Sequence, residues 1–249
     1  MRTTADSQGD AQPLSQWQRV LYIFLSPSKT YLDIRRSGSW WLPFAITVMV
    51  SFCFTFAVQE KVGWETVAQT VLQRSGQRRR QMEDMPEAQV ARIKRTTAQI
   101  IAYTSYAAPA IGLLLAALAA ALLLAVLNLV MGGHASHGKM LAVYFYSTLP
   151  VNLKYLLAVV ALYAGVNPDQ FDLKNPIGSN LGFYLSPETS PGLMSLATQA
   201  GGFTVWGLAL FSMGSAIVAG VSRRQAAIAV TALWAAMVLL MAGAATMGG

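Results

Sequence analysis

The chain has 249 residues, of which 54% are hydrophobic and 12% are charged, and its formal net charge is +7. That charged fraction is about half of the roughly 25% found in soluble domains. Apolar runs of about 20 residues recur along the chain, which excludes a soluble globular domain and predicts an all-α, polytopic membrane protein in a lipid bilayer. In this class the basic excess indicates orientation in the membrane and attraction to anionic headgroups, and no nucleic-acid binding is expected.

The N-terminal segment, residues 1–39, is expected to be cytoplasmic and to carry amphipathic interfacial helices. In "PLSQWQRVLYIFLSP", Trp17, Val20, Leu21 and Phe24 are spaced as one apolar helix face, which is suited to lying in the plane of the membrane interface. Ser26-Pro27 then has the pattern of an N-cap followed by proline at the first helical position. No cleavable signal peptide is expected in this polar beginning.

The membrane domain is expected over residues 40–247, with five transmembrane helices of about 20 residues each. The first span is followed by a loop at 59–106 that is predicted to be helical. The third span is followed by an irregular loop at 166–200, which is rich in turn formers and precedes the fourth and fifth spans. The spans are predicted at about 40–58, 107–131, 140–165, 201–221 and 226–247.

The basic residues near the spans predict that the N-terminus is inside and the C-terminus outside. Eight Lys and Arg lie in the segments that this places inside: Arg2, Arg19, Lys29, Arg35, Arg36, Lys139, Arg223 and Arg224. The loop 59–106 also carries eight, including the run at 78–80, and is the main argument against this orientation. Most of them are far from the span ends, where the rule is weaker.

No enzymatic, metal-binding or cofactor-binding set is recognised, so a non-enzymatic protein without cofactor is expected. The segment "GHASHGKM" at 133–140 has the glycine and lysine spacing of a phosphate-binding loop, but Met140 stands where Ser or Thr should hold Mg²⁺. His134 and His137 have no nearby cysteine or carboxylate and make a poor metal site. The predicted hydrocarbon region holds no Asp or Glu, which disfavours a proton relay.

Lys154, near the middle of the third span, is the main candidate functional residue, because a lysine at that depth costs about 2.5–3.5 kcal/mol. Three environments would accommodate it. A helix shifted or kinked at Pro150 would let it reach water or headgroups; backbone carbonyls and hydroxyls of neighbouring helices could surround it; or it could face a polar cavity that receives an anionic headgroup or a partner carboxylate.

Two asparagines are further candidates for packing or function. Asn152 lies about 200° around the helix from Lys154, so both cannot face lipid, and a central position in the bundle is expected for the third helix. Asn128, near the end of the second span, is expected to form an interhelical hydrogen bond.

Short motifs of this chain resemble the bacterial branch of the Yip family (Ypt-interacting protein, "Yip-one" domain). They are "FLSPSKTYLDI" and "SWWLPF" around the first span and "AVYFYSTLP" at the third, where Tyr146, Ser147 and Pro150 form the most suggestive element. The Asp-Leu-Tyr-Gly-Pro signature of the eukaryotic members is absent, so no residues for binding small GTPases are carried over.

The resemblance implies a membrane-organising protein, or an accessory partner of another membrane system such as an ABC-type exporter, in the bacterial cytoplasmic (inner) membrane. The expected partners are the bilayer and either another membrane protein or further copies of the chain. The alternative is a lipid-handling or small transport protein that binds an anionic lipid headgroup near Lys154.

Overall fold

The computed structural model describes residues 12–74, 76–165, 167–168, 171–173, 175–186 and 189–247, with the backbone alone for 74, 76–79 and 247. Within these residues the fold is helical and has no strand, apart from one isolated bridge between Asn180 and Gly201. The α-helices are α1 (Gln16–Leu25), α2 (Pro27–Arg36), α3 (Trp41–Lys61), α4 (Trp64–Arg74), α5 (Gly76–Glu83), α6 (Glu87–Ala125), α7 (His137–Ser147), α8 (Leu149–Tyr163), α9 (Pro191–Gln199), α10 (Gly202–Ala219) and α11 (Arg223–Met247).

Five of the described helical segments are long and apolar enough to cross a membrane, which confirms the predicted all-α, five-span fold class. They are Trp41–Lys61, Glu87–Val130, His137–Tyr163, Gly202–Ala219 and Arg223–Thr246. The protein is therefore an integral membrane protein whose environment is the lipid bilayer.

The second span is part of a much longer helix than the apolar run alone indicates. α6 continues into a π-helical turn at Val126–Val130, so the helical segment comprises 44 residues. At 1.5 Å per residue it is about 65 Å long, roughly twice the thickness of the hydrocarbon core. The half that begins at Glu87 therefore extends beyond the membrane, where it packs against α4.

The third span consists of two helices with Thr148 between them. α7 ends at Ser147, and Pro150 occupies the first turn of α8, where its missing N–H leaves no helical hydrogen bond unmade. α7 is the most central helix of the fold, because it packs against α1, α2, α3, α6 and α10. The third span therefore takes the central position expected of it, but as a broken helix.

The main core is built from buried residues of α2, α6, α7, α10 and α11, and a smaller core joins α3, α4 and α8 to Phe171. α1 and α2 form a hairpin, the N-terminal hairpin, that packs on α7 and α10. A capping box starts α1: Ser15 Oγ accepts from the Gln18 N–H and the Gln18 side chain accepts from the Ser15 N–H. Ser26 occupies the N-cap position of α2 as predicted, but its side chain makes no capping hydrogen bond.

Candidate functional site

A buried ion pair closes the N-terminal hairpin. Arg19 on α1 and Asp33 on α2 are 14 positions apart, and the hairpin brings Arg19 Nε to 2.6 Å from Asp33 Oδ2, with both side chains less than a tenth exposed. Arg19 Nη1 also donates to the Ser37 carbonyl at 3.1 Å, and the Leu14 N–H donates to Asp33 Oδ1 at 3.3 Å. These bonds supply the additional partners without which a buried ion pair is costly.

A chain of hydrogen bonds connects α2 with α7. Ser147 Oγ donates its single proton to the Val143 carbonyl at 2.7 Å, so the Tyr31 hydroxyl, 2.8 Å away, is the donor to Ser147. Tyr31 is fully buried, and this burial raises the pKa of its phenol well above the ordinary value. Tyr31 is therefore a neutral hydrogen-bond donor at physiological pH.

Tyr146, the residue before Ser147 on α7, forms a hydrogen bond with α1. The Tyr146 hydroxyl donates to Gln16 Oε1 at 2.9 Å, and Thr30 Oγ1 donates to the Arg19 carbonyl at 3.0 Å, which joins the two helices of the hairpin. We call Arg19, Thr30, Tyr31, Asp33, Tyr146 and Ser147 the hairpin cluster. The hydrogen bonds of these side chains, to one another and to neighbouring groups, clamp the hairpin to the bundle.

The backbone of α10 also comes close to Tyr31 and α7 at Gly214, and this contact completes the clamp. A Cβ atom at Gly214 would lie 2.5 Å from Tyr31 Cε1 and 2.6 Å from Val143 Cγ1. Only glycine allows the Tyr31 ring to lie between α7 and α10, because real Cβ atoms do not approach other heavy atoms so closely.

The predicted residues Pro150 and Asn152 lie outside this clamp, on α8, and Asn152 lies on its seam with α3. Asn152 is buried, and its Nδ2 donates to Thr47 Oγ1 at 2.8 Å, while Thr47 donates to the Pro43 carbonyl. Asn152 therefore has a specific partner on another helix, the type of polar contact that joins helices in membranes.

Lys154 is half-buried and its Nζ lies 4.7 Å from the centroid of the Tyr155 ring. Within the described part of the chain it has no hydrogen bond and no carboxylate partner. The environment of carbonyls and hydroxyls considered for it is thus not present there. The break at Thr148 is consistent with the expected bend near Pro150, and the cation–π contact partly compensates for desolvation of the ammonium group.

Asn128 does not bond to a neighbouring helix, contrary to the expectation. Its Nδ2 donates to the Ala135 carbonyl at 2.9 Å, and its Oδ1 accepts from the Ala135 N–H at 3.2 Å. The π-helical turn at 126–130 places this amide against the loop before α7, so Asn128 fixes the loop that links two spans.

Of the predicted residues, Ser147 bonds to Tyr31 of the segment "FLSPSKTYLDI" and Tyr146 bonds to Gln16 on α1. Pro150, Asn152, Lys154 and Asn128 lie outside the hairpin cluster. The sequence reasoning missed Thr30, Tyr31 and Asp33, and considered Arg19 only for orientation. One signal was available: Asp33 is the only acid between Pro13 and Val58, and a lone acid beside a membrane span needs a cation.

Among the residues that the structure describes, no group of three or more His, Cys, Asp or Glu side chains is arranged to hold a metal ion. His134 and His137 are exposed, and His137 Nε2 lies 3.1 Å from the Ala117 carbonyl.

The fold and the hairpin cluster together define a polytopic helical membrane protein whose N-terminal hairpin is clamped to the bundle. A family model described as the Yip1 domain matches residues 21–244. The chain belongs to this family, as its motifs indicated. No curated protein and no solved structure matches it.

Proposed function

We infer that this protein is a non-enzymatic member of the Yip1-domain family that assembles with another membrane protein, of which an ABC-type exporter is one class. In this proposal the N-terminus lies in the cytoplasm of a bacterial cell and the protein lies in its inner membrane. One observation carries the proposal: α4, α5 and the first half of α6 form a helical body beyond the hydrocarbon core, which we call the α4–α6 lobe. Such a body is more than a connection between two spans requires.

The charge of the lobe supports a polar contact with a partner. Arg92 and Arg95 are exposed on α6, and within the described residues neither has an ion-pair partner. Charged surfaces of this kind guide association and select the partner. An accessory role also agrees with the hairpin cluster, in which the polar groups stabilise the fold and leave none poised for a reaction.

Affinity purification of the tagged chain in several mild detergents tests this proposal. A stoichiometric membrane partner is expected, and Arg92→Glu/Arg95→Glu should release it. Arg223→Glu/Arg224→Glu, at the other end of the bundle, makes the same charge change and should retain it. Recovery of this chain alone, as a monomer in every detergent, would contradict the proposal, whereas recovery of multiples of the chain would identify the partner as a second copy.

A second candidate function rests on Lys154, whose ammonium group has the Tyr155 ring as its contact in the described structure. A lysine without a carboxylate inside a membrane span can bind the phosphate of an anionic lipid. In this case the protein would bind or move lipids.

Lys154→Met should then abolish the bound-lipid signal in mass spectra of the purified protein, or its transport phenotype. Lys94→Met in the α4–α6 lobe removes the same charge and should leave both unchanged. Unaltered spectra and phenotype for Lys154→Met would exclude this second function.

A further inference from the structure

Four basic residues from three segments lie together at one end of the bundle: Arg35, Lys139, Arg223 and Arg224. We call this region the basic end. Gly38, just after α2, is so close to α7 that a Cβ atom there would lie 3.0 Å from Lys139 Cα and N. Arg35 and Lys139 therefore belong to adjoining segments.

The loop before α7 also brings in the start of α11. The His134 N–H donates to the Ala219 carbonyl at 3.0 Å, so this loop lies on the turn between α10 and α11. α10 ends at Gly220, whose φ of 73° is the left-handed conformation of a helix C-cap. Arg223 and Arg224 follow directly and are exposed.

The charge of this end is not neutralised within the described residues. Asp33 is the acid located there, and it is buried in its ion pair with Arg19. The other described acids lie on segments that join the opposite ends of the helices: Glu60, Glu65, Glu83, Asp84, Glu87 and Asp172. Within the described residues, an anionic ligand would therefore meet attraction at the basic end without a competing exposed carboxylate.

An apolar surface on α1 begins near the basic end, where Arg19 Nη1 donates to the Ser37 carbonyl, and runs along the membrane-spanning surface. α1 turns Trp17, Leu21 and Leu25 outward, each more than half exposed. The ring of Phe24 meets that of Trp206, on the membrane-spanning α10, edge to face at 5.8 Å between centroids. This apolar surface therefore continues onto a membrane-spanning helix.

We propose that the basic end binds the headgroups of anionic phospholipids in the leaflet at that end of the bundle. The apolar side of α1 contacts the chains, and Arg35, Lys139, Arg223 and Arg224 contact the phosphate layer, as expected for amphipathic helices beside juxtamembrane cations. This site is separate from Lys154 and does not depend on a protein partner.

Native mass spectrometry of the purified full chain, titrated with phosphatidylglycerol or with phosphatidylcholine of the same chain length, tests the proposal. The wild type should prefer phosphatidylglycerol. Lys139→Gln/Arg223→Gln/Arg224→Gln should lose this preference by roughly fivefold per removed charge. Arg92→Gln/Lys94→Gln/Arg95→Gln, the matched control in the α4–α6 lobe, should keep it.

Three outcomes would overturn the proposal: unchanged preference in the basic-end variant, an equal loss in the control, or loss of an acidic protein partner from the basic-end variant while its lipid preference stays. Loss of preference in Lys154→Met alone would place the lipid site at Lys154 instead.

Circular-dichroism melting checks that both triple variants are folded. If the basic-end variant does not fold, Arg224→Gln alone should still weaken the preference several-fold, and no change there would equally overturn the proposal.

Discussion

Burial of the Asp33–Arg19 ion pair carries a large desolvation cost, because both charges are removed from water. Removing one partner of a buried ion pair leaves the other uncompensated, whereas the pair itself adds little net stability. Together with Tyr31 and Ser147, these side chains fix the hairpin in one position on the bundle. Apolar packing alone would not specify that position.

Asp33→Asn should destabilise the protein by about 3 kcal/mol, since the Arg19 guanidinium stays buried without its counter-charge. The free energy of unfolding in mixed detergent micelles, followed by circular dichroism, measures this. Glu65→Gln removes an exposed carboxylate and should change it by less than about 0.5 kcal/mol. Similar values for both variants would show that the ion pair has no structural role.

Ser147→Ala should destabilise the protein more than Tyr31→Phe does. The first leaves the buried Tyr31 hydroxyl without an acceptor, at a cost of about 1–3 kcal/mol, whereas the second leaves Ser147 its bond to Val143 and costs about 1 kcal/mol. In the same unfolding assay, Tyr31→Phe/Ser147→Ala should be more stable than Ser147→Ala. A strictly additive double variant would contradict the donor assignment.

At the scale of elements, α10 and the N-terminal hairpin are fitted to each other at Gly214. The apolar runs predicted the spans because about 20 apolar residues in sequence have few alternatives to a membrane helix. The first half of α6, which begins at Glu87, agrees with the helix predicted within the loop 59–106, but its contact with α4 could not be read from the pattern. Nor could the apolar runs pair Arg19 with Asp33 or Tyr31 with Ser147, because pairings between distant positions arise only from packing.

Gly214→Ala should weaken hairpin docking by about 1–3 kcal/mol, because its methyl group would overlap with the Tyr31 ring and Val143. The measurement is the melting temperature together with the rate of trypsin cleavage at the exposed Arg35. Gly243→Ala on α11 adds its methyl group to open space and should leave both unchanged or slightly improved. Cleavage at equal rates in the two variants would show that hairpin docking does not require Gly214.

For the whole molecule, the five spans among the described residues put the start of α3 and the end of α11 on opposite sides of the membrane. The basic end and the α4–α6 lobe then face different compartments. The predicted orientation puts the basic end in the cytoplasm, where anionic lipids and the membrane potential favour positive charge.

Cysteine labelling in intact cells should confirm this orientation. In a Cys53→Ser background, an impermeant maleimide should label Thr96→Cys in the α4–α6 lobe but not Ser136→Cys in the loop before α7. Permeabilised cells should label both, which controls for reactivity. The reverse pattern would mean that the N-terminus is outside.

The wide sequence separation within the hairpin cluster determines the order in which the protein assembles during translation. Tyr31 bonds to Ser147, 116 positions later, and packs on Gly214. At 5–20 residues per second, roughly ten to forty seconds pass before α10 is synthesised. Until then the hairpin lacks the part of its docking surface that α10 provides, although α7 is already available, and the internal ion pair keeps Arg19 and Asp33 compensated. The first helices to leave the ribosome are therefore among the last to reach their final place.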